Sequence, residues 1–315
     1  MLKALSAAAL LAAVTTAAYA EPFRIVALGD VPYGQPEKVY APFETLIDTV
    51  NARAPALVIH VGDTKSGSTP CSDKMLDDQL GYLNRFTAPV LYTPGDNEWT
   101  DCHRKNAGGF DPIERLGYIR QNYFANPDRS FGVAKAAVTS QAAAGYPENV
   151  RMMMNEVMFV TTHVIGSNNN FEIRDIAAVQ EFMARDANNL AWLTESFATA
   201  SRIDAKALVL AVHADMFQDG FSPPWAPETW MGHSGFAKFG PALIKEAAAF
   251  AKPVLLIYGD SHIFRQMRPF PKGAPNVMAL EAPGATDMHA VEVTIDPATS
   301  GVFAVALVRN PALAE

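Results

Sequence analysis

Four aspartates in this sequence close apolar runs with the same Gly-Asp ending. IVALGD ends at Asp30, LVIHVGD at Asp63, VLYTPGD at Asp96 and VLLIYGD at Asp260, while a fifth run, ALVLAVH, ends at His213 instead. Each reads as a buried strand that releases its last residue into a loop. In parallel α/β sheets the carboxyl ends of the strands line the functional crevice, so these residues are expected to converge although the chain spreads them widely. Carboxylates brought together repel one another unless positive charge sits among them, and the chemistry indicated is the binding of divalent metal ions. A single Gly-Asp pair is ordinary turn chemistry; four at strand ends, with a histidine at a fifth, argue for a metal site.

The elements that must position these residues alternate. Strands are expected at 23–30, 56–63 and 89–96. Between the first two, Phe43, Leu46, Ile47 and Val50 fall at helical spacing behind Pro42, which suits a first helical turn. Between the next two, Leu76, Leu80 and Leu83 follow a plausible N-cap at Ser72. Such alternation implies a parallel sheet with right-handed crossovers. From 97 to 155 the pattern lapses into GGFDP, NPDRSFG and AAAGYPEN, with one helix expected at 113–124. This reads as a cap or substrate-shaping insertion within one domain, 21–315.

Order returns at 156–164, followed by GSNNN, and a helix carrying Leu190, Leu193 and Phe197 leads to a strand at 206–213. A Trp-rich loop, DGFSPPWAPETWMGHSG, precedes a helix from Pro241 and a strand at 253–260. The closing runs NVMALEA, HAVEVTI and VFAVALV read as consecutive strands without helices between them, which suggests a second sheet packed on the first.

A chain of 315 residues can bury a full-sized core. Residues 1–20, MLKALSAAALLAAVTTAAYA, combine Lys3, a short apolar stretch and the small-x-small ending Ala18-Tyr19-Ala20, and read as a secretory signal. The apolar run is broken by Thr15 and Thr16, short of the ~20 residues a membrane span needs, and no later stretch is long and apolar enough. The expected localisation is therefore periplasmic or secreted, with no membrane span after signal removal. The net charge of −8, without Lys/Arg runs, argues against a nucleic-acid scaffold. It leaves room for a small phosphorylated substrate, because bound metals reverse the local charge. The two cysteines, Cys71 and Cys102, are expected to form a disulfide in an exported protein, tying together the loops that carry Asp63 and Asp96.

Read in order, GDVPYG, GDTKSG, GDNE, VLAVH and GDSH resemble the five blocks of the calcineurin-like metallophosphoesterase family. Those blocks are Asp-x-His, Gly-Asp, Gly-Asn-His-Asp/Glu, a lone His at a strand end, and Gly-His-x-His. The resemblance runs from about Phe23 to Arg265. It implies a four-layer α/β/β/α sandwich, with two central mixed sheets flanked by helices and the metal site at the carboxyl ends of the strands. It also implies that Asp63 bridges two metals, that Asp30 and His262 complete one site, and that Asp96, His213 and Asp260 complete the other. This sequence departs from the pattern at four points: Pro32 replaces the first-block His, Asp96 the Asn, Asn97 the catalytic His, and Asp260 the first His of the last block.

The implied activity is hydrolysis of a phosphomonoester or phosphodiester by attack of a metal-bridging hydroxide. Exchange of histidine for carboxylate favours Mn²⁺ or Mg²⁺ over Zn²⁺. Asn97 can stabilise phosphate but cannot donate a proton as the family's His does. His103, in the loop that the disulfide would hold near the site, is the expected substitute acid. Lys65, Arg104 and Arg265 lie just past strand ends and could clamp a second anionic group, although a solvated surface charge is the better reading of any one of them. Two other readings stay open: a catalytically silent protein of this fold that binds metal or an anionic ligand, and a single-metal hydrolase of other esters.

Overall fold

The computed structural model describes residues 21–217 and 234–313. The expected signal segment, most of the Trp-rich loop and its His233 lie outside them. Among the described residues, twelve strands form two sheets. The first has the order β12-β11-β1-β2-β3, with β1 (Phe23–Leu28), β2 (Leu57–His60) and β3 (Val90–Tyr92) parallel. The second has the order β4-β5-β6-β7-β8-β10-β9, with β6 (Val157–Thr161), β7 (Ala207–Ala211), β8 (Val254–Tyr258) and β10 (Val277–Glu281) parallel and β9 (Arg265–Met267) antiparallel at the edge.

Strand periodicity explains why the sheets stack as they do. Along β1, Ile25 and Ala27 enter the core between the sheets, while Val26 and Leu28 pack under the helices Pro36–Ala52 and Asp73–Leu83. Along β7, Val209 and Ala211 face the same inter-sheet core, and Leu208 and Leu210 meet the helices Ile176–Arg202 and Phe239–Phe250. A strand buried on both faces must be apolar at every position, which is why these runs show no alternation. The outcome is a four-layer α/β/β/α sandwich.

The tail is divided differently from the sequence expectation. Only β10 enters the second sheet, beside β8. β11 (Ala290–Ile295) and β12 (Phe303–Val308) fold back antiparallel along the free edge of β1 in the first sheet. Burial accounts for the split. All of β10 is buried, so it needs layers on both faces, whereas β12 is half exposed and suits an edge. Periodicity identifies a strand but not the edge it joins.

Two further expectations shift. The first helix starts at Pro36, with Pro42 inside it rather than in its first turn. The segment 97–155 is an excursion only in part. It carries the helix Pro112–Asn122, but β4 (Thr139–Gln141) and β5 (Tyr146–Met154) extend the second sheet, with β5 pairing to β6. Ser72 caps its helix by accepting from Met75 N at 3.2 Å. No helix among the described residues is long and apolar enough to cross a membrane.

Cys71 and Cys102 form a disulfide across 31 residues of chain. Closing a loop of that length is worth about 3–4 kcal/mol in the chain-entropy account. Replacing both cysteines by serine is therefore expected to lower unfolding stability by about 3–4 kcal/mol, read from full denaturant curves in which midpoint and slope are both fitted, because the unlinked unfolded chain exposes more surface.

Candidate metal centre

The parallel strands of both sheets end at the same rim. Asp30, Asp63 and Asp96 follow β1, β2 and β3, while His213 and Asp260 follow β7 and β8 across the inter-sheet core. Asp30, Asp63 and Asp260 have φ of 57°, 53° and 78°, in the left-handed region that a non-glycine residue rarely adopts. Strain of this kind collects at functional sites. The glycines of the Gly-Asp pairs permit the approach: a Cβ on Gly95 would lie 2.1 Å from Asp63 Oδ1.

Two ligand groups result. Asp30, Asp63 and His262 offer donor atoms all within 4.8 Å of one another, and so do Asp63, Asp96 and His213. Asp63 belongs to both. His213 is fully buried; its Nδ1 lies 2.8 Å from Val61 O and donates to it. This leaves Nε2 facing Asp96 Oδ1 at 3.1 Å and Asp63 Oδ1 at 3.4 Å. A backbone carbonyl fixing one ring nitrogen while the other faces carboxylates is how metal-ligating histidines are held. His262 Nε2 lies 3.4 Å from Asp30 Oδ1, and its ring meets Tyr33 edge-on at 4.7 Å. Asp260 stands farther back. Its Oδ1 is 3.8 Å from His213 Nε2, and its Oδ2 accepts from Asp215 N at 3.2 Å.

The electrostatics fit a site for cations. Burial, with Asp96 and Asp30 nearby, pushes Asp260 up to about 7. Asp63 is raised well above the usual carboxylate range by burial and by the surrounding carboxylates. Burial works against a charge on His213, yet Asp63, Asp96 and Asp260 raise it well above an ordinary histidine. The cluster cannot carry its full negative charge by itself, and oxygen-rich donor sets of this kind suit divalent ions.

Several side chains hold the ligands without joining them. Asn97, in the place of the family's catalytic His, donates from its backbone N to Asp63 Oδ1 at 3.1 Å and from Nδ2 to Asp63 Oδ2. The same Nδ2 reaches the Tyr33 hydroxyl at 3.3 Å. His60, read as a core histidine, accepts from Gly62 N at 3.2 Å and donates to Val31 O at 3.1 Å, joining the first two site loops. Fully buried Glu98 was missed as a functional residue. It accepts from Asp63 N, Thr64 N, Thr64 Oγ1, Gly95 N and the Tyr92 hydroxyl at 2.6 to 3.2 Å. Its signal was the acidic last letter of GDNE.

The remaining candidates scatter. His103 is exposed; its Nδ1 lies 2.7 Å from Thr100 O, and it lines a cavity of about 600 Å³ behind Asp101 and Ser167. Lys65 is 1% exposed and donates to Ser66 O at 3.0 Å. Arg104 pairs with Asp101 at 2.6 Å, and Arg265 with Asp215 at 2.7 Å and Glu281 at 2.6 Å. His163 is buried against Glu148 at 2.9 Å, a core pairing.

No family model matches the sequence, and no curated protein matches it. Among solved structures, the chain superposes on a purple acid phosphatase from yellow lupin (Lupinus luteus) seeds with TM-score 0.53 and 12% identity, over 93% of this chain and 55% of that one. The chain thus spans about half the length of the plant protein. A protein of Thermus thermophilus gives TM-score 0.43 at 11% identity, over 92% of this chain and 100% of the other. At such identity the lupin likeness shows the fold alone.

Because Asp63 is common to both ligand groups, Asp63→Asn is expected to weaken binding at both, by about 100-fold or more, whereas Asp30→Asn weakens one. Counting Mn²⁺ bound per chain during titration separates the two outcomes.

Proposed function

We propose that this chain, which has the calcineurin-like metallophosphoesterase fold, is an exported metal-dependent phosphoesterase acting on a small phosphomonoester or phosphodiester. The observation that carries the reading is the pair of ligand groups sharing Asp63 at the rim where both sheets end. Asp30, Asp63 and His262 would hold one divalent ion, and Asp63, Asp96 and His213 the other, with Asp260 behind the second. Two such ions supply charge neutralisation for phosphate oxygens and acidify a bound water. With four carboxylates among the ligands, Mn²⁺ or Mg²⁺ is favoured over Zn²⁺. The disulfide between Cys71 and Cys102 supports export to an oxidising compartment.

The protein's own groups supply position. Asn97 fixes both oxygens of Asp63, and Glu98 fixes the loop beneath it. The Tyr33 hydroxyl, beside Asn97 Nδ2, offers a donor to a phosphate oxygen at the mouth of the site. We assign proton donation to the leaving group to His103, which lines a cavity together with Ser167, the residue bonded to Asp96.

One observation favours a second reading, a protein of the same fold that binds metal or an anion without turnover: the Asn97 amide is spent on Asp63 and cannot supply the lost imidazole's proton. Hydrolysis of p-nitrophenyl phosphate and its bis ester, with and without Mn²⁺, decides between them. Metal-dependent turnover that falls to background in Asp63→Asn is the expected result; stoichiometric Mn²⁺ uptake without turnover of either ester establishes the second reading. Stoichiometric zinc at both sites after purification without added metal would contradict the manganese or magnesium preference.

The proton donor is tested through the leaving group. His103→Ala is expected to slow an alkyl phosphate about 10²-fold while leaving p-nitrophenyl phosphate, whose leaving group needs no proton, within about threefold. Unchanged rates on the alkyl ester remove His103 from the mechanism.

A further inference from the structure

The segment GSNNN after β6 contains four consecutive non-glycine residues in the left-handed region. Ser167, Asn168, Asn169 and Asn170 have φ of 48°, 52°, 56° and 60°. L-residues visit this region singly, not in runs, so a left-handed turn of this length persists only where its surroundings over-determine it. Three asparagines reduce the cost, because Asn tolerates the conformation. Serine gains no such relief, and Ser167 leads the turn.

The surroundings are specific. Arg185, fully buried, donates from Nη1 to Asn169 Oδ1 at 2.6 Å and His163 O at 2.8 Å, and from Nη2 to Asn169 O at 2.9 Å. Glu181 accepts from Arg185 Nε at 2.6 Å and Asn170 Nδ2 at 2.9 Å. Asn170 Oδ1 also accepts from Thr100 Oγ1 at 2.7 Å, joining the turn to the disulfide-bearing loop. A buried ion pair on the helix Ile176–Arg202 thus grips the turn from behind.

Its front faces the carboxylates. Ser167 Oγ lies 2.6 Å from Asp96 Oδ2 and 2.9 Å from Asp101 Oδ1. A Cβ on Gly166 would lie 2.6 Å from Asp260 Oδ1, so the start of the turn is packed on that carboxylate. With Oδ2 engaged by Ser167, Asp96 presents Oδ1, the oxygen that faces His213 Nε2.

We infer that the left-handed turn 167–170 is the positioning device of the second ligand group, with Ser167 as the residue that orients Asp96 for the ion. Ser167 is a positioning residue, not a ligand, and the inference rests on the metal-centre reading above. A hydrogen bond that selects one oxygen of a ligating carboxylate is the kind of support whose loss costs 10–100-fold in metal affinity.

The test compares two replacements that both remove the hydroxyl. Ser167→Ala keeps a Cβ in the strained conformation, whereas Ser167→Gly relieves it. Titrations of the full chain with Mn²⁺, followed by electron paramagnetic resonance, are expected to show one of two binding steps weakened about 10–100-fold in both variants. The other step stays as in the unmutated chain. Thermal unfolding without added metal is expected to place the glycine variant about 1–3 °C above the alanine variant. Affinity therefore does not follow stability. An unchanged Mn²⁺ affinity in Ser167→Ala, or recovery of affinity in Ser167→Gly along with its stability, overturns the inference and leaves the centre intact. An unmutated chain that binds no Mn²⁺ overturns both.

Discussion

Repulsion among carboxylates sets the terms for the rest of this structure. Two ionised groups 4 Å apart interact by about 4 kcal/mol at an effective dielectric of about 20, and the rim gathers four aspartates around a single fully buried imidazole. Packing alone does not hold such a cluster; each member is tethered. Asp63 is held by Asn97 and by Glu98 through its backbone, Asp96 by Ser167, Asp260 by the backbone of Asp215, and Asp30 accepts from Asp260 N. The tethers run in a ring from sheet to sheet, so the two halves of the sandwich are joined by polar contacts at the rim as well as by apolar packing beneath it.

The exchange of histidine for carboxylate changes what the surrounding shell must do. A histidine ligand needs one partner, on its second nitrogen, and His213 has one in Val61 O. An aspartate has two equivalent oxygens and needs a partner that selects between them. Ser167 does this for Asp96, and Asp215 N engages one oxygen of Asp260. Extra carboxylates thus accompany extra polar support, and the left-handed turn belongs to that support. At Pro32 no ligand replaces the lost imidazole; the neighbouring Tyr33 instead packs against His262 and meets Asn97.

Much of this was legible in the chain. Uniform apolar runs ending in Gly-Asp announced strands buried on both faces and acids at their carboxyl ends, because periodicity and burial are local consequences of composition. The disulfide followed from cysteine count and the signal-like first 20 residues, and Ser72 from its place before an amphipathic stretch. The tail runs read as strands, and NVMALEA joins the second sheet, but HAVEVTI and VFAVALV join the first, since the free edge of β1 is a property of the assembled sheet and leaves no mark on HAVEVTI. His103 follows Asp96 closely in sequence; in the fold its Nδ1 faces Thr100 O and the residue lines a cavity shared with Ser167, a relation the sequence does not show.

The sequence by itself determined much of the inventory: the apolar runs that form the central strands, which of them end in an acid or a histidine, and that so many acids call for cations. Tertiary structure alone decided their relations. That Glu98 accepts from the backbone N of Asp63 and that Ser167 reaches Asp96 across 71 residues of sequence are facts of the assembled fold. The physical reason is range. Propensity and hydrophobic period act over a few residues, whereas the hydrogen bonds that orient a carboxylate join segments whose proximity is fixed only when the inter-sheet core closes.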